Sequence, residues 1–170
     1  TGVQTCALPI CVHHLLADGA FAITVPTRGY AAANVTAAGF AGVPAMLELT
    51  DHAPLPLREP VRSLVWIRGQ LHPVPAPAVG ELLDLIAAEQ PDPALLRVGS
   101  EHSLLRLEAE SVVVADATGA ESIGVHALLQ AQPDPFCAME TCWLRHIDAD
   151  HRDVVARLAS RLPGPLRRGR

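Results

Sequence analysis

The sequence predicts an α+β chain: a small antiparallel β-barrel over most of its length, followed by a helical module. Two observations carry the prediction. Residues 12–115 hold several short β-prone runs separated by Gly, Pro and Asp, with one helical stretch among them. From residue 134 onward the apolar period is helical instead. Many short strands with turn signals build a barrel, and a terminal run of helices builds an appended layer.

The elements follow in order. Residues 12–16 and 20–25 flank Ala17-Asp18-Gly19, a hairpin signal because Gly tolerates positive φ. Pro26 to Gly29 breaks the second strand, and Ala31 to Ala38 has room for one or two helical turns ending at Gly39 or Gly42. In residues 43–50, Val43, Ala45, Leu47 and Leu49 alternate against Met46, Glu48 and Thr50. A proline-rich loop then leads to the clearest strand, residues 61–71. There Val61, Val65, Ile67 and Leu71 make an apolar face, and Arg62, Leu64, Trp66, Arg68 and Gln70 make the other. This parity predicts Val65 and Ile67 buried with Arg62 and Arg68 exposed, because a slip of one residue would bury two unpartnered guanidiniums.

Val79, Leu82, Leu83 and Ile86 follow i, i+3, i+4, i+7, and Pro91 and Pro93 end that helix. Residues 104–107 and 111–115 read as two further strands, with a turn at Asp116 to Gly119 and a short helix at residues 125–130. Asp134 then suits an N-cap and Pro135 the first helical position. Phe136, Met139, Glu140, Trp143, Leu144 and Ile147 follow helical spacing, which gives this helix one stripe expected to be buried. Asp148 or Asp150 is expected to cap a second helix bearing Val154, Val155, Leu158 and Leu162.

Composition excludes several function classes. Of 170 residues, 49% are apolar and 18% charged, enough for a core and against disorder. No apolar run approaches the roughly 18 residues of a membrane helix. All 13 basic residues are Arg, and the net charge of −5 argues against a broad nucleic-acid-binding face. No signal-peptide pattern is evident, so reduced thiols and a cytoplasmic location are expected. The spacing of Cys137 and Cys142 fits neither a zinc ribbon nor a redox dithiol, which leaves buried structural cysteines as the expectation.

Residues 1–10, TGVQTCALPI, resemble the translation of a sequencing-library adapter and are expected to form no element tied into the core. The native chain is then expected to extend upstream of Cys11.

Three segments carry a wider resemblance: VPAMLELTDHAPLPLREPVRSLVWIRGQL at residues 43–71, LLRLEAESVVVAD at residues 104–116 and PDPFCAMETCWLRHIDADH at residues 133–151. They resemble proteins of high-GC bacteria that carry a C-terminal domain of unknown function. Those proteins are similar to the haem-utilisation family and, more distantly, to pyridoxamine-phosphate-oxidase-like flavin-binding split barrels. The resemblance implies a six-stranded split barrel, a homodimer, and flavin (FMN) or haem near the dimer interface. It also implies a partial split-barrel domain over residues 11–131, with its first strands missing, and the truncated start of a small C-terminal domain over residues 132–170. On that reading Val154, Val155, Leu158 and Leu162 are expected to be less covered than Val65 or Ile67.

Candidate site residues come from the strand at residues 61–71. Trp66 between Arg62 and Arg68 can stack on a flat cofactor while the guanidiniums hold a phosphate or carboxylate. A dimer-interface or solvent-facing strand would show the same pattern. His13 and His14 point to opposite faces of their strand, and His13 is carried forward as a candidate axial haem ligand. Cys142 and His146 share a helical face and His151 follows. No pair has a recognised zinc spacing, and the nearby Asp residues suit helix capping, so no metal site is assigned. No GxSxG, HExxH, P-loop or GxGxxG occurs. The expected function is a cytoplasmic cofactor-binding split barrel, and any enzyme would be an FMN-dependent oxidoreductase or a haem-degrading protein. The alternative is a cofactor-free binding or regulatory module on the same fold.

Overall fold

The Asp-Gly hairpin forms as its sequence requires. In the computed structural model, which describes residues 10–55 and 57–163, β1 (His13–Leu15) pairs antiparallel with β2 (Phe21–Pro26). Gly19 turns the chain at φ +88°, and Asp18 accepts a hydrogen bond from the backbone N–H of Ala20 at 3.1 Å. Across the sheet Arg106 donates to Asp18, and this contact, more than the turn amide, holds the Asp18 carboxyl below its ordinary value. α1 (Tyr30–Ala38) closes at Gly39 with φ +56°, and a 3-10 turn leads through Gly42 at φ +72° into β3 (Val43–His52).

Two long strands organise the rest. β4 (Val61–Pro73) pairs with β3 on one edge and with β5 (His102–Asp116) on the other. Between β4 and β5 run α2 (Ala76–Glu89) and a 3-10 turn at Pro93–Arg97. The other edge of β5 is shared by β2 along one half and β6 (Gly119–Ile123) along the other. The result is one open, six-stranded antiparallel sheet of order β1-β2-β5-β4-β3, with β6 beside β2 on β5. α3 (Val125–Gln130) follows, and α4 (Glu140–Asp150) and α5 (Arg152–Arg161) form the helical tail. This is an α+β fold. Among the described residues no helix is long and apolar enough to cross a membrane.

β5 departs from the two strands expected there. It is continuous because a β-bulge at Glu110 absorbs one residue: Arg68 lies opposite Ser111, and Gly69 lies opposite Ala109. The bulge flips side-chain parity, so Leu105 and Leu107 before it and Val112 and Val114 after it reach the same face. The backbones come close there, and a Cβ on Gly69 would lie 1.8 Å from the carbonyl oxygen of Glu108. β6 was not expected either, since Ala120, Glu121 and Ser122 lack strand character. A tight turn sets it: Asp116 accepts from both the N–H and the hydroxyl of Thr118, which pulls its carboxyl pKa down.

Two cores fill the two faces. The larger joins Phe21, Ile23, Leu47, Ile67, Leu107 and Val112 to Ala32 and Val35 of α1. Ile67 is wholly buried and Val65 partly so, while Arg62 and Arg68 are exposed, as strand parity required. The smaller core lies on the opposite face of β1, β2 and β5, where Val12, Ala22 and Leu104 meet Ile86 of α2 and Leu95. Ile10 packs partly against the larger core, and residues 1–9 lie outside those described.

The tail departs from expectation. Its first helix begins at Glu140, not at Pro135. Asp134 caps only a series of turns, accepting from the N–H of Phe136 at 2.9 Å. Phe136, Met139, Trp143 and Ile147 are exposed instead of buried, and among these side chains Phe136 and Trp143 pack on each other, ring centroids 5.1 Å apart. His151, not Asp148 or Asp150, stands between the two helices. Val154, Val155, Leu158 and Leu162 are all exposed, less covered than Val65 or Ile67 as expected.

Candidate functional site

The outer face of β3, β4 and the second half of β5 gathers polar and aromatic side chains. Direct pairing places Met46 beside Arg68 and Glu48 beside Trp66, with Ser111 and Val113 opposite Arg68 and Trp66 on β5. Trp66 is half-buried by these neighbours. Its indole N–H donates to a carboxylate oxygen of Glu48 at 2.6 Å, which fixes the ring's orientation.

The two arginines differ in their surroundings. The Arg62 guanidinium is gripped on both edges. Its Nε and one Nη donate to the Asp51 carboxylate at 2.9 and 2.8 Å, and both Nη atoms reach Glu140 of α4, the nearer at 2.5 Å. These two carboxylates, Glu140 foremost, raise its pKa further. Its fork is therefore full, and the trio carries a net negative charge. Arg68 has no ion pair or hydrogen bond among the described residues and is exposed. It is the available cation of this face.

His13 lies elsewhere. It pairs with Ile23, whose side chain belongs to the larger core, so it sits on the opposite face of the sheet from Trp66. Two strands separate β1 from β4, a distance on the order of 14 Å at ~4.8 Å per strand. His14 is the buried member of the pair, with Nε2 3.4 Å from Glu89 of α2. The structure thus brings Trp66 and Arg68 together, commits Arg62 to structural ion pairs, and leaves His13 apart.

Glu48, Asp51 and Glu140 were not singled out from sequence. The first two were in principle legible as cross-strand partners once the β3–β4 register was set. Glu140, 78 residues from Arg62, was not. The cysteines depart from expectation: Cys11, Cys137 and Cys142 are all exposed, and Cys11 Sγ lies 3.3 Å from Nε2 of buried His102. A shallow apolar groove lined by Val74, Ala78, Leu82, Leu85 and Arg106 includes none of the four candidates.

The residues fit a planar anionic group in part. Trp66 offers a stacking surface and Arg68 a charge partner, whereas a phosphate cradle would need more free donors than one guanidinium supplies. Comparison with protein-family models and with curated proteins returns no match.

Proposed function

We propose that this chain is a split-barrel binding protein that holds a planar anionic cofactor, a flavin or a haem, against the outer sheet face at Trp66, in a site completed by a second copy of the chain. The observation that carries the reading is an oriented, partly buried indole on the same strand face as a cation without a carboxylate of its own, Arg68. The fold is compatible: one long strand, β5, is shared by β2 and β6 on one edge and by β4 on the other, and α1 packs into the larger core on one sheet face. The open face supports self-association, since Met46, Leu64 and Val113 surround Trp66 with apolar surface. A bound flavin or haem would supply any redox chemistry. In this proposal Trp66 stacks on the ring system and Arg68 pairs with its acidic group, while Arg62 and His13 take no part.

A cofactor-free module on the same face is the second reading, favoured by the filled fork of Arg62. An absorption spectrum of the purified chain, before and after incubation with FMN or haem, separates the two. A band near about 450 nm identifies flavin and one near about 400 nm identifies haem. Trp66→Ala is expected to weaken the bound cofactor by roughly tenfold, the scale of a lost aromatic contact. A colourless protein that neither compound reconstitutes leaves the cofactor-free module.

A further inference from the structure

We propose that His146 and His151 form an open site for a divalent transition-metal ion, Zn2+ by donor chemistry, at the junction of α4 and α5. The site is independent of the Trp66 face. His146 lies in the last turns of α4, and His151 is the single residue between the two helices. On an unbroken helix, residues five apart point well away from each other. Here the backbone leaves helical geometry at His151, φ −128° and ψ 44°, and the second ring returns to the first. The Nε2 atoms lie 3.2 Å apart, with the rings nearly perpendicular at 84°.

Asp150 sets the chemistry of that pair. Its carboxylate lies 2.8 Å from Nδ1 of His146. In the tautomer with its proton on Nδ1, facing this carboxylate, His146 presents an unprotonated Nε2 on the side of His151. A carboxylate behind a histidine is the usual second shell of a metal-binding imidazole, where it fixes the tautomer and raises basicity. Two nitrogens on a tetrahedral Zn2+, with bonds of about 2.0–2.1 Å, stand roughly 3.3–3.4 Å apart, close to the separation seen here. Neutral imidazoles suit Zn2+, Cu2+ and Ni2+ rather than Mg2+ or Ca2+. Among the described residues no group of three His, Cys, Asp or Glu converges on one point. The site therefore offers two protein donors and leaves the other positions to water or to a donor from another molecule. An ion there would clamp α4 against α5.

The test is a Zn2+ titration of the full chain against a chromophoric chelator, with circular dichroism of each variant to confirm folding. One ion per chain is expected. His146→Ala and His151→Ala should each abolish saturable binding, and Asp150→Asn should weaken it by roughly 10-fold, the lower end for a lost second-shell partner. Cys142→Ser should leave binding unchanged. Imidazole NMR of the unaltered chain gives a readout that needs no variant: Zn2+ should shift the His146 and His151 resonances first. A chain that binds no Zn2+, a His146→Ala/His151→Ala double variant that still binds one ion, a Cys142→Ser variant that loses it, or shifts confined to other histidines would each overturn the proposal.

Discussion

In α2, Val79, Leu82, Leu83 and Ile86 face the smaller core, and Ile86 is 0% exposed. In α5, Val154, Val155 and Leu158 keep the same helical spacing yet are 38%, 39% and 65% exposed. Each helix carries a one-sided apolar stripe of similar residues. The difference lies outside the helices: α2 returns to a sheet whose second face is apolar along β1, β2 and β5. α4 and α5 mainly meet each other, and Glu140 ties them to β4 through Arg62. Amphipathic spacing specifies a face, and only the rest of the chain supplies what covers it.

The contrast predicts unequal costs for equal truncations. Ile67→Ala, at a wholly buried position between β3 and β5, is expected to cost about 2–5 kcal/mol in urea denaturation. Leu158→Ala should fall within about 0.5 kcal/mol of the parent. Similar losses for both would mean that the tail is buried in solution, and the contrast would fail.

A second test probes how tightly the sheet itself is built. Gly69→Ala should destabilise by about 1–3 kcal/mol, because the new methyl meets backbone at the bulge, where no side chain can move aside. An unchanged denaturation midpoint would show that β4 and β5 are further apart there.

The joint between the two regions gives the smallest global effect. Glu140→Lys places a cation beside Arg62 in place of its carboxylate partner. The denaturation midpoint of the sheet should barely move, since exposed ion pairs contribute little. Limited proteolysis within residues 131–139 should become several-fold faster. Unchanged cleavage would show that other contacts hold the tail.

Much of the sheet was legible because its code is local. Strand parity at residues 61–71 assigned Val65 and Ile67 to the interior and Arg62, Trp66 and Arg68 to the outside, since side chains alternate whatever lies opposite, and Ile67 is wholly buried with Val65 partly so. The Asp18-Gly19 turn was equally local. β5 was not, because a bulge reverses parity in mid-strand and imitates the end of one strand and the start of another. β6 has too little apolar character to declare itself and exists through pairing with β5 and the turn at Asp116.

The candidate site divides in the same way. That Trp66 and Arg68 share a face follows from their spacing alone. That Arg62 is spent on Asp51 and Glu140 depends on strand register and on where the tail returns, and that His13 lies across the sheet depends on strand order. The approach of His151 to His146 needed the break between α4 and α5, which turns a spacing of five from divergent to convergent. Outside the bulged β5, local spacing was enough to say which side chains share a face of a strand or helix, since backbone geometry sets that within a few residues. Tertiary structure alone decided which of those side chains meet, because partners distant in sequence are brought together only when strands pair and helices pack.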